Sequence, residues 1–301
     1  MPFMEVGESM SKKVAIVTDS NSGIFPERGK ELGITVIRMP FFLDGKQYYE
    51  NENLNAKEFF ERMNQEQNID FSTSMPPIGE IYSIWSDLLK ENDEIVYIPM
   101  SSGLSSSCET ASQIALEFNG KVQVVNNQRI SASQEQSILD ALTLKKQGKD
   151  AKEIKAILEE EKFNSSIYIT VDTLDYLKKG GRITSSAALL AGLLKIKPVL
   201  QIQGEKLDSF AKARGMKAAK KTMIKALKQD LETRFKDFDQ KNEIRLLVAY
   251  SYQDQANIDA WINEVQEAFP GYEICHQQLS LSISCHIGPG GLGIGCAHIV
   301  K

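Results

Sequence analysis

Over the first half of the chain, short β-branched runs alternate with amphipathic stretches. Val14 to Val17 reads as a buried strand, followed by the polar turn TDSNSG and a helix with Pro26 in its first turn. The apolar run Ile34 to Leu43 restarts the sheet. Helices are predicted over 55–65, with Asn55 as cap, and over 78–90, after the Pro76-Pro77 pair. Strand 94–98 leads through Pro99 into SSGLSSS and an apolar-periodic helix, then a strand at 122–125 and helices over 131–147 and 151–160. Strands that alternate with helices need crossover connections, so this half reads as a doubly wound, mainly parallel sheet covered on both faces.

The second half repeats the alternation with longer helices. Strand 167–171 precedes a short helix ending at Gly180-Gly181, a helix over SSAALLAGLLK, and strand 198–203. A Lys-rich helix over 212–234, strand 244–250, helix 255–268 and a strand over YEICHQQ follow. Two long helices with few strands suggest a smaller sheet packed on one side. The expected organisation is a flexible extension over 1–12, an N-terminal α/β domain over 13–165 and a smaller C-terminal α/β domain over 166–301.

Charge and cysteine usage narrow the function. With 35 basic and 40 acidic residues, a net charge of -5 provides no cationic excess for a phosphate backbone, so nucleic acid is not an expected partner. The four cysteines, Cys108, Cys275, Cys285 and Cys296, lack metal-ligand spacing and read as reduced thiols of a cytoplasmic protein. No apolar run has signal-peptide or membrane-spanning length. Walker A and nucleophile-elbow patterns are absent, and all three histidines lie in the last 26 residues, which gives catalysis little support.

Three hydroxyl-rich loops carry the remaining chemistry. Thr18 to Ser22 and Ser101 to Ser107, the latter including Ser102, Gly103 and Ser105, each follow a strand and precede a helix. An open α/β sheet binds anions there, although the same residue types also serve as caps and turns. Ser72-Thr73-Ser74 precedes Met75-Pro76-Pro77, whose prolines hold Thr73 and Ser74 extended, as donors to a ligand or as a cap. Near the C-terminus, Gly288, Gly290 and Gly293 fit GxGxxG, yet the chain ends eight residues later, without room for a dinucleotide-binding unit. These glycines instead allow close backbone approach, and His286 beside them could donate to an anion or fill a turn. Arg182 follows a Gly-Gly pair. Arg214 heads the Lys-rich helix, where a cation is unfavourable, which points to a role outside the helix, in docking an acidic partner surface.

Taken in order from Lys13 to Val300, VAIVTDSNSGI, STSMPP, SSGLSSS, VDTLDYLKKGGRITSSAALLAGLLKIKPVL, KARGMKAAKK and HIGPGGLGI resemble the DegV family of bacterial fatty-acid-binding proteins, which includes the FakB subunits of fatty acid kinase. The resemblance implies a two-domain α/β carrier, without cofactor or metal, that holds one long-chain fatty acid between its domains. It further implies presentation of the carboxylate to a separate ATP-dependent fatty acid kinase, the acyl phosphate then entering phospholipid synthesis. By motif position, Thr73, Ser105 and His286 would bind the carboxylate, with Ser74, Ser102, Gly103 and Gly288 beside them. Arg182 would order the head group, Arg214 would face the kinase, and Leu189, Leu190, Leu193, Leu194 and Ile196 would lie near the tunnel or core. The family's TSQPS reads Thr73-Ser74-Met75-Pro76-Pro77 here, SSGLSGTY ends in Ser106-Ser107-Cys108, and GPGALG carries Gly291 for Ala. The alternative is an enzyme acting on a small phosphorylated or carbonyl substrate, by analogy with dihydroxyacetone kinase domains.

Overall fold

The six residues of β1, Val14–Asp19, are all buried, as expected of a central parallel strand covered on both faces. In the computed structural model, which describes residues 12–65, 70–190, 196–203 and 205–301, β1 lies between β2 (Thr35–Ile37) and a strand numbered β6 below. The apolar run that follows β1 is not one strand. It breaks at Pro40, which has no N–H to give a ladder, and resumes as β3 (Phe41–Leu43) in a separate antiparallel sheet with β4 (Lys46–Tyr48) and β5 (Phe71–Thr73), in the order β4-β3-β5.

The parallel sheet is completed by β6 (Glu94–Ile98) and β7 (Val122–Val124), in the order β2-β1-β6-β7. Its helices are α1 (Pro26–Leu32), α2 (Ala56–Gln65), α3 (Ile78–Leu88), α4 (Ser107–Ala115), α5 (Ala132–Lys146) and α6 (Ala151–Glu160), although α2 packs on the small sheet. Side-chain alternation divides the coverage. Val14, Ile16, Val96 and Ile98 pack against α5 and α6, whereas Ala15, Val17, Ile95 and Tyr97 pack against α3 and α4 through Ile81, Trp85 and Ala111. Pro26 is at the first helical position of α1, and the Asn55 side chain accepts from Glu58 N (3.0 Å).

The second sheet is the larger one, with six strands in the order β10-β9-β8-β13-β11-β12, contrary to the expectation of a smaller sheet. These strands are β8 (Ser165–Thr170), β9 (Ile196–Ile202), β10 (Asp208–Arg214), β11 (Ile244–Tyr250), β12 (Ile274–Gln278) and β13 (Leu292–His298). Two of them were hidden by composition. In residues 208–214 the exposed Phe210, Lys212 and Arg214 alternate with the more buried Ala211 and Ala213, and Gly215, at φ +83°, separates them from the helix, so the predicted helix over 212–234 begins only at Met216. β13 is Gly-rich, and it lies in the middle of the sheet.

The remaining helices are α7 (Asp175–Gly180), α8 (Ser185–Ala188), α9 (Met216–Glu232), α10 (Lys236–Gln240), α11 (Gln255–Ala268) and α12 (Leu281–Ile287). One face of the large sheet packs under α9 and α11 through Met223, Leu227, Trp261 and Val265. Of the helix expected over 185–195, α8 covers the start, and Leu193 and Leu194 lie outside the described residues. Among the described residues no helix is long and apolar enough to cross a membrane.

Candidate functional site

The other face of the large sheet, packed in part by α5, α7, α8 and α12, forms the floor of a cavity of about 280 Å³, roofed by the loops that follow β1, β6 and β7. Strand alternation determines which residues reach it. Leu292, Ile294 and Cys296 turn toward α9 and α11, which leaves Gly293 and Gly295 on the cavity side of β13. Ile167 and Ile169 from β8 and Leu247 and Ala249 from β11 flank those glycines. The glycine segment therefore serves to leave space above the middle of the sheet. At Gly295 a Cβ would also come within 2.3 Å of the Ser166 carbonyl oxygen, so no side chain fits there.

One end of this apolar cavity is polar. Thr73 closes β5, held beside α12 by its pairing with Phe41, and its Oγ1 lies 2.9 Å from His286 Nε2. Helix α12 is fixed by the Ser280 cap on Ile283 N (3.3 Å) and by the buried Glu50 carboxylate, which accepts from Leu281 N (2.6 Å). Phe41, Phe59 and Phe60 pack on Leu281 and Cys285 and lock the helix to the small sheet. Gly180 explains the KKGGR motif, since a Cβ there would stand 2.1 Å from His286 Nδ1.

Arg182 completes this end. Its Nε donates to the Leu104 carbonyl (3.2 Å) and its Nη1 to the Gly180 carbonyl, and no carboxylate among the described residues pairs with it. Burial lowers the guanidinium's pKa, and an anion in the cavity would offset that cost. Burial, then the Arg182 charge, push His286 down to about 4, so its imidazole is neutral near pH 7. The Ser105 hydroxyl is paired with the Ser107 hydroxyl (2.8 Å) and accepts from Ser107 N (3.1 Å) at the cavity wall.

The neutral imidazole has a measurable consequence. A folded-state pKa near 4, against an ordinary 6.5, means that protons prefer the unfolded chain in that window. The contribution is complete above pH 6.5 and is lost as pH falls toward 4, by up to about 3 kcal/mol. Thermal melts of delipidated protein should therefore fall more steeply from pH 6.5 to 4 in wild type than in His286→Gln, and parallel curves would contradict the assignment.

Other expected site residues are placed differently. Ser74 is exposed, lines the mouth and donates to Met75 O (3.0 Å). Ser102 and Gly103 do not line the cavity; a Cβ on Gly103 would strike the Glu205 backbone at 2.4 Å, so this glycine joins two loops. Gly288 ends α12 at φ +74° against the Tyr176 ring and is likewise outside the lining. Leu190 is in the core beneath the cavity and Ile196 is half-buried in β9, whereas Leu189 is 81% exposed. Arg214 is the exposed last residue of β10, an edge strand, which removes the helix-dipole argument for it.

Asn21, from the candidate loop Thr18 to Ser22, lines the cavity, and so do Ser131 and Ser282, which were not anticipated. Asn21 Oδ1 accepts from the Ser280 hydroxyl (2.7 Å), which ties the loop after β1 to α12. The TDS motif has a structural role. Asp19 accepts from Met100 N (2.7 Å) and Asn21 N (3.0 Å), and burial raises its pKa to about 6. A second hollow of about 250 Å³ lies beyond the polar end, sharing Thr73, Arg182 and His286 and adding the exposed Asp70–Lys179 ion pair (2.5 Å).

A largely apolar cavity with one cationic, hydroxyl-bearing end is chemically suited to an amphipathic anion. The chain belongs to the DegV family: the family described as "Uncharacterised protein, DegV family" matches residues 13–298. It is 32% identical over 260 residues, 86% of this chain and 88% of the other, to a DegV domain-containing protein of Streptococcus pneumoniae. Among solved structures it is similar to a DegV family protein from Thermus thermophilus described for its fatty acid binding, at 28% identity and TM-score 0.84 over 95% of this chain and 99% of that one. It is similar also to DegV from Bacillus subtilis, described as a fatty acid binding protein, at 28% identity and TM-score 0.80 over 96% and 100% of the two chains.

Proposed function

We propose that this protein holds one long-chain fatty acid, its carboxylate at Thr73, Ser105, His286 and Arg182 and its tail along the apolar cavity. The observation that carries this reading is Arg182, without a carboxylate partner among the described residues, beside the Thr73–His286 pair at one end of a largely apolar space. In the tautomer that carries its proton on Nε2, neutral His286 would donate to Thr73 Oγ1, 2.9 Å away, and leave the Thr73 hydroxyl proton free for a carboxylate oxygen. Arg182 adds a charge-assisted donor, stronger than a neutral one. Burial of each methylene contributes about 0.8 kcal/mol, so the tail supplies most of the affinity. Organic extraction and mass spectrometry of never-delipidated protein should give close to one fatty acid per chain, lost in the Thr73→Val/Ser105→Ala/His286→Ala variant. Absence of lipid from folded wild type that also refuses added fatty acid would reject the reading, and ATP or ester turnover by the protein alone would favour an enzyme.

We further infer that the bound acid is handed to a separate fatty acid kinase for acyl-phosphate formation. Support comes from the exposed cations Lys212, Arg214 and Lys217, grouped on an acidic protein along an edge strand and the start of α9. Arg214→Glu should lower acyl-phosphate formation by the cognate kinase at least about tenfold by reversing one interfacial charge, with lipid content unchanged. Unchanged product formation would remove Arg214 from the interface.

A further inference from the structure

The cavity has a second polar locus, away from the carboxylate end. Ser282 lies on α12 four residues before His286, about 6 Å along the helix on the same face. It is 6% exposed, it lines the cavity, and its hydroxyl has no hydrogen-bond partner among the described residues. The N-terminus of α5 opens on the same cavity, with Ser131, Ala132 and Ser133 among its lining residues. Ser131 sits at φ +55° and does not cap the helix with its side chain. The first N–H groups of a helix lack partners within it, and no bond from Ser133 N to any described residue satisfies that donor.

A methylene chain passing this point would leave the buried hydroxyl and the helix donor unsatisfied, which is unfavourable. An oxygen carried by the chain at that depth would satisfy both, accepting from the helix N–H and pairing with the Ser282 hydroxyl. The neighbouring polar groups are already engaged: Asn21 with Ser280 (2.7 Å), Ser133 with the Ile130 carbonyl (2.8 Å) and Ser131 with Gln277 (2.8 Å). Among the described residues away from the carboxylate end, Ser282 is the buried lining serine whose hydroxyl has no hydrogen-bond partner; Ser106, which also lines the cavity, is exposed. We propose that the cavity selects fatty acids bearing a hydroxyl or keto oxygen partway along the chain, read by Ser282 and the start of α5.

This inference rests on the fatty-acid reading of the cavity. Its test is displacement of a fluorescent fatty acid from delipidated protein by octadecanoic acid and by a series of octadecanoic acids with one hydroxyl at successive chain positions. One member of the series should bind about tenfold more tightly than the unsubstituted acid, the worth of one well-made buried hydrogen bond. In Ser282→Ala, which suits a helix and removes only the hydroxyl, the ratio of the two affinities should fall to about one. No preference at any position, or a preference that survives Ser282→Ala, would overturn the proposal while leaving the cavity's fatty-acid role intact. Binding of neither octadecanoic acid nor any hydroxylated member would overturn both.

Discussion

Gly293→Leu is expected to weaken the proposed fatty-acid binding by about ten- to a hundredfold while leaving the protein folded. A Cβ at Gly293 meets the Ala249 and Tyr168 carbonyl oxygens at 3.5 Å, ordinary contact distances, so the strand accepts a side chain there. That side chain then projects from the middle of the floor into the space the tail needs. Overfilling a packed apolar site costs about 1–3 kcal/mol or more, equivalent to about ten- to a hundredfold in affinity. Loss of glycine from a strand removes an entropic penalty, so the melting temperature should hold or rise. Gly295→Ala is the contrasting control: its Cβ would press on the Ser166 carbonyl oxygen at 2.3 Å, and it should lower the melting temperature. Fatty-acid affinity equal to wild type in Gly293→Leu would show that the tail runs elsewhere.

Arg182→Gln is expected to weaken carboxylate binding by about ten- to a hundredfold, the range for a hydrogen bond to a charged group. Gln keeps an amide donor on a shorter side chain and removes the only positive charge at the polar end of the cavity among the described lining residues. The substitution has a second readout. The Arg182 charge is one of the two causes that hold the His286 pKa low, the larger being burial, so the imidazole should titrate at higher pH in the variant. Chemical-shift titration of His286 would record this. A variant that binds fatty acid as wild type does would assign the carboxylate to the hydroxyls and His286 alone, and an unmoved His286 titration would show that the two side chains do not sense each other.

The parallel sheet was legible because each of its buried strands is a short β-branched run bounded by turn residues, and β1 and β6 are apolar on both faces. The larger sheet was harder to read. In β10 the more buried positions are Ala211 and Ala213 between Phe210, Lys212 and Arg214, and in β13 every second residue is Gly or Ala, so neither gives the apolar signal of a strand. A period-two reading of Leu292-Gly293-Ile294-Gly295-Cys296-Ala297 would have found β13, with its larger residues toward α9 and α11 and its small ones toward the cavity.

The residue types at the polar end were readable too, since STSMPP, SSGLSSS, KKGGR and HIGPG stand out as hydroxyl, cationic and glycine punctuation in an otherwise ordinary chain. What each motif does depended on distance. Thr73 and His286 are 213 positions apart and meet only because β5 pairs with β3 and the aromatic cluster beneath that sheet grips α12. The same packing turned Gly103 and Gly288 into points of close approach and left Ser282 without a partner. By itself the sequence determined the α/β class, the parallel sheet and the inventory of donors, because local periodicity and turn chemistry are written within a few residues. The location of the cavity, the pairing of Thr73 with His286 and the placing of Arg182 beside them, held by carbonyls with no carboxylate partner among the described residues, were decided by the tertiary structure, because burial and charge balance are properties of segments brought together from far along the chain.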